Sequence, residues 1–351
     1  MWIENQVFKD DMDYIINADF IKWHKFKNKT VFITGATGLI GYYLTSALLY
    51  RNMIYSDNIH VIILVRNIEK AKQLYSKQMD LNLSFIIGDV VNLPNVKDNI
   101  DYIIHAASPS DSKFFVNCPV ETIKTIVNGC ANILEMSKGK NINSMVFLST
   151  MEVYGSIQNH EKIDELHYAN LNTMSARNSY PEAKRICENM CASYYSEYKV
   201  PVNVLRLTQT FGPGIKESDN RVFAQFIRAS IKKEDIVLYT EGKTYRSYLY
   251  LSDAVTAILT VLLYEKKGEA FNAANEESYC SIKEMANMVA DDINNNKIKV
   301  VINKKDNNDI KQFLPQMCMN LDAKKLKNIG WKTIVTLKNM YKNVLYSIKY
   351  K

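Results

Sequence analysis

Long apolar runs are missing from this 351-residue sequence. No segment approaches the roughly 18 consecutive apolar residues that a membrane-spanning helix needs. The first residues, MWIENQVFKDDMDY, are acidic and amphipathic, unlike the basic and apolar leader of an exported protein. Cys-x-x-Cys spacings are also missing among the six cysteines, which argues against a disulfide framework or a zinc site. We therefore expect a cytoplasmic protein with no membrane segment and no metal.

Concentrated charge is missing as well. The formal net charge is +7, but the lysines are scattered among Asn and Ile and form no basic stripe with interleaved aromatics. This distribution argues against nucleic acid as a partner and leaves an anionic ligand open. Internal repeats, low-complexity linkers and charge blocks are absent too, so any two lobes of the chain should be interwoven.

Strand-like and helix-like segments alternate along the first two thirds of the chain. Buried strands are predicted in TVFIT, IHVIILV, LSFII, IDYIIH and INSMVFLST, with amphipathic helical segments between them. Such alternation predicts a parallel sheet that is covered by helices on both faces. The predicted fold class is α/β, with a doubly wound parallel sheet of the Rossmann type and a smaller, interwoven C-terminal α/β lobe.

A glycine turn stands between the first strand and the first long helix. In TGATGLIG, Gly35, Gly38 and Gly41 are spaced three and three. Glycine at such positions permits a sharp turn, a close approach of the backbone to a pyrophosphate, and tight packing of helix on strand. The phosphates would lie at the helix N-terminus. This context predicts that the chain binds a dinucleotide.

The domain boundaries follow from this pattern. Residues 1–28 are predicted to be an N-terminal helical extension on the outside of the fold. Residues 29–205 are predicted to form the cofactor domain, with 237–265 returning to it. Residues 206–236 and 266–351 are predicted to form the substrate lobe.

Two later motifs bring catalytic side chains. Tyr180 and Lys184 of YPEAK are four residues apart and so lie on one helix face. A tyrosine of ordinary pKa, about 10, is a poor base at neutral pH, but a neighbouring ammonium favours its phenolate. Tyr180 is therefore a candidate proton acceptor. STMEVYG adds Thr150 and Glu152 at the end of a strand.

Together these motifs resemble the extended short-chain dehydrogenase/reductase family, in its branch of nucleotide-sugar epimerases, dehydratases and decarboxylases. The resemblance covers nearly all of residues 29–345 and includes GDV, HAAS, NGCANILE, RLTQTFGPG and YRSYLYLSDAV in family order. It implies a homodimer that acts on a nucleotide-activated sugar or polyol. It also implies contacts to the cofactor from Gly35, Thr37, Gly38, Leu39, Ile40, Gly41, Arg66, Asp89, Val90, Ala106, Ala107, Ser108, Tyr180 and Lys184.

The type of nicotinamide cofactor stays open. An acidic residue at the end of the second strand would favour NAD, but this chain has Arg66 in LVRN. Arg66 can pair with the 2′-phosphate of NADP, stack on the adenine of NAD, or be a solvated arginine. The resemblance favours NAD, and we expect NAD(P) that is retained through the cycle. An NADPH-dependent reductase that releases its cofactor is the rival that Arg66 supports.

The resemblance also assigns roles in catalysis. Tyr180 would remove the proton of a sugar hydroxyl while a hydride leaves the same carbon, Lys184 would hold the ribose, and Thr150 would bond to the reacting oxygen. The intact set of these three residues argues against an inert cofactor-binding scaffold.

The outcome of the reaction depends on Met151 and Glu152. Sugar 4,6-dehydratases have Thr-Asp-Glu at this strand end, and a thioether at the Asp position cannot donate a proton. UDP-glucuronate decarboxylases have Thr-Ser-Glu, but the arginine they carry near the C-terminal segment is replaced here by Cys318 and Met319. Epimerisation, decarboxylation and dehydration with another acid all stay open. Glu152 as a structural partner and Met151 as a core residue stay open as well.

The substrate would bind across the second lobe. By resemblance, Arg221 and Arg246 clamp the pyrophosphate, for which bidentate arginine is well shaped, although either could instead form an ordinary salt bridge. Asp253 is expected to be structural, as a helix cap or the partner of an arginine. The full set of residues predicted to contact the substrate is Ser108, Asn128, Met151, Gln209, Arg221 and Arg246.

Overall fold

The computed structural model describes residues 2–109, 112–303 and 316–349. In this part of the chain the strands are β1 (Thr30–Thr34), β2 (His60–Val65), β3 (Leu83–Ile87), β4 (Tyr102–His105), β5 (Ser144–Thr150), β6 (Val202–Leu207), β7 (Gln209–Phe211), β8 (Ile236–Leu238), β9 (Tyr245–Tyr250), β10 (Ala270–Ala273), β11 (Asn275–Ser281), β12 (Val300–Ile302) and β13 (Cys318–Met319). The helices are α1 (Gln6–Asn17), α2 (Leu39–Tyr55), α3 (Ile68–Leu74), α4 (Ser112–Asn117), α5 (Pro119–Lys138), α6 (Ser179–Tyr198), α7 (Val222–Lys232), α8 (Leu251–Leu263), α9 (Ile282–Met288), α10 (Lys324–Asn328) and α11 (Leu337–Lys349). None of these helices is long and apolar enough to cross a bilayer.

The larger sheet confirms the predicted Rossmann architecture. Within the described ranges it has seven parallel strands in the order β10-β6-β5-β4-β1-β2-β3. Successive side chains of β1 point to opposite faces, so Val31 and Ile33 join the core under α2 and α8, while Phe32 joins the core under α5 and α6. Both faces are buried, which explains why these strands are continuous apolar runs.

The smaller lobe is built on β9. This strand pairs with β11, β13 and β7, while β8 and β12 form a separate parallel pair. Its core contains Phe211, Phe223, Tyr248 and Tyr250. The lobe therefore has its own apolar centre beside the larger sheet.

The strand pairing departs from the predicted division of the chain at two points, although α8 of the predicted 237–265 segment packs against β5 and β6 of the larger sheet. β8 and β9, which were predicted to return to the cofactor domain, lie in the small sheets, and β10, which was predicted in the substrate lobe, is an edge strand of the larger sheet. The reason is physical, because hydrophobic periodicity identifies a strand but does not say which strand it pairs with.

The N-terminal extension is more deeply embedded than the sequence predicts. In α1, Phe8, Met12 and Ile15 are fully buried, and the helix packs against α2, α8 and α11. Asp11 is also buried, and its carboxylate accepts hydrogen bonds from Tyr43 of α2 at 3.0 Å and Tyr250 of β9 at 2.9 Å. This helix is thus bonded to both the larger and the smaller sheet regions.

Candidate active site

The glycine turn connects β1 to α2 with very little space. Gly35 has φ +73°, and a Cβ on it would lie 2.7 Å from the Ala106 carbonyl and the Ala107 nitrogen. A Cβ on Gly41 would lie 2.2 Å from the carbonyl oxygen of Gly35. Glycine is required at both positions, by backbone conformation and close approach at Gly35 and by close approach at Gly41.

The N-terminus of α2 is shaped for an anion. Gly38 is its N-cap and supplies no side-chain hydrogen bond to the first turn. Thr37 and Gly38 are exposed, and Leu39 and Ile40 are partly buried. Backbone N–H groups at such a terminus lack intrahelical partners, and the helix dipole favours negative charge there. The turn therefore fits the pyrophosphate of a dinucleotide.

The segment after β4, which lies beside the glycine turn, is held in place by Thr34. The Thr34 hydroxyl lies 2.7 Å from Nδ1 of His105 and accepts a hydrogen bond from the Ala107 nitrogen at 3.2 Å. Burial, together with the charge of Lys184, lowers the pKa of His105 to about 3, so the imidazole is neutral. Ser108 follows in this segment, and its hydroxyl donates to the Pro109 carbonyl at 3.1 Å.

The far end of the predicted cofactor cleft contains a loose ion pair. Arg66 is exposed, and its Nη1 lies 3.8 Å from Oδ2 of Asp89. The other oxygen of Asp89 accepts a hydrogen bond from the Val91 nitrogen at 2.9 Å. Arg66 and Asp89, from the ends of two adjacent strands, are therefore neighbours, and each is available to an adenosine.

The asparagines of NGCANILE have different environments. Asn128 is exposed on α5. Asn132, one turn later, donates from Nδ2 to the carbonyls of Val90 and Val91, both at 2.8 Å. Asn128 was predicted from the motif and Asn132 was not, although Asn132 is the residue that is bonded to the backbone of Val90 and Val91. Only the contact across to this loop distinguishes the two asparagines.

Thr150, Tyr180 and Lys184 meet where β5 ends against α6. The Thr150 hydroxyl is close enough to the Tyr180 phenol to lower its pKa, and the Tyr180 ring stacks on Phe115 with centroids 4.3 Å apart and an interplanar angle of 6°. Lys184 is 3% exposed, and its Nζ donates to the Leu148 carbonyl at 2.7 Å. The structure thus brings together three of the four residues predicted for catalysis.

The pKa of Tyr180 reflects opposing influences. It is raised well above the ordinary tyrosine value, mainly by burial and then by the charge of Glu152. The nearby Thr150 hydroxyl and the charge of Arg221 lower it, but by less. In this structure, burial therefore outweighs the nearby cations. Burial likewise lowers the pKa of Lys184.

Met151 and Glu152 lie in contrasting surroundings. Met151 is 2% exposed and belongs to an apolar cluster with Tyr154, Ile163 and Met319, which favours the core alternative for this residue. Glu152 is partly exposed, and its Oε2 lies 3.9 Å from Nη1 of Arg177. Arg177 was not predicted, because the sequence indicates it only by its position three residues before Tyr180.

The two arginines of the second lobe differ in their partners. Arg221 forms a bidentate ion pair with Asp219, with Nη2 to Oδ2 at 2.6 Å, and lies over the ring of Phe223. Within the described residues, the buried Nε of Arg246 has no hydrogen-bond partner, although its Nη2 contacts the Met317 sulfur at 3.5 Å. An unsatisfied buried donor fits an anionic ligand.

The other residues singled out in the sequence lie in strands or make hydrogen bonds within the fold. Gln209 begins β7 and is partly buried. Cys318 and Met319, where the resemblance leads one to look for an arginine, are each 1% exposed and form β13. Asp253 accepts hydrogen bonds from the Ile334 and Val335 nitrogens at 3.2 and 3.3 Å, consistent with a structural role.

The six cysteines are all free thiols. Cys187 and Cys191 of α6 are buried together with Cys130 of α5, and the Cys187 thiol donates to the Ile126 carbonyl at 3.4 Å. In the part of the chain that the structure describes, no group of three or more His, Cys, Asp and Glu side chains is arranged to hold a metal ion.

Comparison with solved structures matches the fold. The chain superposes on UDP-N-acetylglucosamine 4-epimerase from Methanobrevibacter ruminantium M1, in complex with UDP-N-acetylmuramic acid, with a TM-score of 0.76 and 21% identity, covering 92% of this chain and 98% of that one. UDP-glucuronic acid 4-epimerase from Bacillus cereus, in complex with UDP-glucuronic acid and NAD, gives a TM-score of 0.74 with 19% identity, covering 91% and 99%. These similarities show a shared architecture.

Sequence comparison goes further. The chain is similar to UDP-glucuronic acid decarboxylase 4 of Arabidopsis thaliana, with 29% identity over 310 residues that cover 88% of this chain. It spans 66% of that relative, just under two thirds of its length. Residues 31–274 match the sequence model of the NAD dependent epimerase/dehydratase family. The match includes the glycine turn, Thr150, Tyr180 and Lys184, and this chain therefore belongs to the NAD dependent epimerase/dehydratase family.

Proposed function

We propose that this protein is an enzyme that modifies a nucleotide-activated sugar through a transient keto intermediate, by epimerisation or dehydration. The observation that carries this proposal is that Thr150, the last residue of β5, lies beside Tyr180 of α6, one helical turn before the buried Lys184, at the same edge of the larger sheet as the glycine turn. A phenol and a hydroxyl placed in this way can both contact a substrate hydroxyl, and the phenol can exchange a proton with it.

The chain's own residues move the proton. Tyr180 accepts it from the sugar hydroxyl, and Thr150 orients the oxygen that reacts. Because burial raises the pKa of Tyr180, proton transfer depends on positive charge near the phenol. Arg221 already supplies part of this charge, and the Lys184 ammonium lies one turn away on the same helix.

A nicotinamide cofactor fits the residues around the glycine turn. Gly35, Gly38 and Gly41 would admit its pyrophosphate at the N-terminus of α2, and Ala106 to Ser108 would line its other side. When bound, this group supplies the acceptor and donor of the hydride. NAD is the cofactor we propose, because the carboxylate of Asp89 lies beside Arg66 and offsets part of the attraction of that arginine for a 2′-phosphate. The Bacillus cereus neighbour also contains NAD.

Glu152 is the residue proposed for the second step. Its carboxylate is partly exposed and close enough to Tyr180 for its charge to raise the pKa of the phenol. From this position it can remove a proton from a carbon next to the ketone, and the guanidinium of Arg177 lies beside it. The Met151 side chain is buried in the core and takes no part.

Decarboxylation of a UDP-uronic acid is the second candidate. The similarity to UDP-glucuronic acid decarboxylase 4 favours it, and Arg177 provides a cation near Glu152 at the reacting end of the site. The buried Cys318 and Met319 weigh against it, because a thiol and a thioether carry no positive charge where the decarboxylases have an arginine.

A homodimer is proposed from the outer surface of α5 and α6. Val120 and Ile123 of α5 and Ile186 of α6 are large apolar side chains with 54%, 42% and 47% exposure. Paired helices from two subunits would cover them. The cytoplasmic location stays a prediction from the sequence.

The function is tested by incubating the purified protein with UDP-, GDP-, CDP-, dTDP- and ADP-sugars and following product mass. Loss of water indicates dehydration, loss of carbon dioxide indicates the decarboxylase alternative, and a new stereoisomer of unchanged mass indicates epimerisation. Acid release of the bound nucleotide identifies NAD or NADP. Absence of any product and of any bound nicotinamide would contradict the proposal.

A further inference from the structure

A buried ion pair lies behind the segment that carries Thr150 and Glu152. Arg206 of β6 is 2% exposed, and its guanidinium binds both carboxylate oxygens of Glu188 in α6, with Nη2 to Oε2 at 2.6 Å. Removing two charges from water is costly, and a hydrophobic pair of similar size is often as stable. The other hydrogen bonds of this pair, to Ser149, Tyr154 and Glu165, indicate a role beyond general stability.

The carboxylate of Glu188 connects α6 to the end of β5. Glu188 lies one turn after Lys184 and two turns after Tyr180, so the three residues are on the same side of α6. The Ser149 hydroxyl donates to Oε1 of Glu188 at 2.5 Å. Ser149 directly precedes Thr150, so this bond fixes the strand end one residue from the hydroxyl that lies beside Tyr180.

The guanidinium of Arg206 holds the other end of the same segment. Its Nη1 donates to the Tyr154 hydroxyl and to the Glu165 carbonyl, both at 2.9 Å. Tyr154 is the last residue of the 3-10 helix Met151–Tyr154, which contains Glu152. The ion pair is thus bonded to residues on both sides of Thr150 and Glu152.

We propose that Glu188 and Arg206 are positioning residues for catalysis, which hold residues 149–154 in register with Tyr180 and Lys184. They touch neither the sugar nor the reacting atoms, and the inference rests on the catalytic role proposed for Tyr180. If Ser149 loses its bond to Glu188, Thr150 is held less well beside the phenol. The proximity of Thr150 lowers the pKa of Tyr180, so a displaced Thr150 should move the titration of Tyr180 to higher pH.

The test compares two buried serines of one strand. Ser149→Ala removes the bond to Glu188 and leaves the ion pair in place. Ser144→Ala, at the start of β5, removes an acceptor for Lys267 at 2.7 Å and serves as the matched control. Tyr154→Phe removes one of the bonds made by Arg206. Thermal unfolding, kcat and KM with the sugar found above, and the pH dependence of kcat are measured for each variant.

A second readout needs no turnover. Replacing Tyr180 with a fluorinated tyrosine, whose phenol is more acidic, allows its titration to be followed by fluorine NMR. For Ser149→Ala and Tyr154→Phe we expect kcat to fall on the order of tenfold to a hundredfold with KM nearly unchanged. The titration midpoint in Ser149→Ala should rise. Ser144→Ala should lose comparable stability and change neither property.

The outcomes separate this inference from the proposed function. Equal losses of stability in Ser149→Ala and Ser144→Ala, with wild-type kcat and an unmoved Tyr180 titration, would show that the ion pair serves only the fold. If the wild type converts no sugar but the titration moves in Ser149→Ala alone, the positioning role is supported and the proposed function is contradicted.

Discussion

The Thr150 hydroxyl lies close enough to the Tyr180 phenol to lower its pKa, although Thr150 ends a strand of the larger sheet and Tyr180 lies in the first turn of the helix that packs on it. This influence acts against burial and against the charge of Glu152, which both raise the pKa of the phenol. Changes in the charge near Tyr180 should therefore alter how readily the phenol accepts a proton.

Tyr180→Phe should reduce turnover by roughly 10²- to 10⁴-fold, because it removes the proton acceptor and leaves the ring in place. Cofactor content should remain that of the wild type. Tyr198→Phe, at an exposed position of the same helix, is the control and should be fully active. Near wild-type turnover in Tyr180→Phe would remove the assignment.

Glu152→Gln should stop the reaction after the first step. Loss of the negative charge beside Tyr180 lowers the pKa of the phenol, so oxidation of the sugar is retained while the carbon acid next to the ketone finds no base. Absorbance of the reduced nicotinamide, and mass of the keto sugar, should show both accumulating. Glu161→Gln, an exposed glutamate in the following loop, is the control. Unchanged product formation would favour a structural role for Glu152.

Gly41→Ala should abolish cofactor binding or weaken it strongly. The new methyl group would lie 2.2 Å from the Gly35 carbonyl oxygen, so α2 must move away from the glycine turn. Gly139→Ala is the matched control, because its nearest contact is an ordinary 3.6 Å. Calorimetric titration with NAD measures both variants, and equal affinities would contradict the proposed cofactor site.

Asp11 should make stability fall as pH rises. Burial raises the pKa of this carboxyl to about 8 in the folded protein, from an ordinary value of 3.8. Between these values the unfolded chain releases a proton that the folded chain retains, so ionisation favours unfolding progressively. Asp253, with a pKa raised to about 7 by burial, acts in the same direction.

Asp11→Asn should therefore flatten the pH dependence. The amide stays neutral, so the variant should gain stability relative to the wild type as pH rises from about 5 to about 8. Urea unfolding at several pH values measures this difference. Asp10→Asn, at the exposed neighbouring position, is the control and should follow the wild type. A wild-type slope in Asp11→Asn would show that Asp11 does not retain its proton.

The glycine turn of the proposed cofactor site could be predicted from the sequence. Its residues are close together in the chain, and their spacing indicates where the backbone of α2 can approach that of the turn closely. Tyr180 and Lys184 were placed on one helix face for the same reason. Asn132 was missed because Asn128 fits the same motif, and only the packing of α5 beside Val90 selects between them.

The substrate half was predicted less completely. Arg177 lies in the 3-10 helix Ala176–Asn178, just before α6, and reaches Glu152 only in the folded chain. The placement of Met151 in the core likewise depends on Met319 and Leu321, which follow much later in the sequence. Neither contact has a signal in local periodicity or spacing.

The sequence by itself determined the alternating strands and helices, the tight glycine turn between β1 and α2, and the placement of Tyr180 and Lys184 on one helix face, because each depends on residues within a few positions of one another. The tertiary structure alone decided which sheet β9 and β10 join, that α1 is bonded to both sheet regions through Asp11, and that Glu188 and Arg206 lie behind the catalytic segment. These contacts join distant parts of the chain, and their energies depend on burial and pairing that arise only when the whole core assembles.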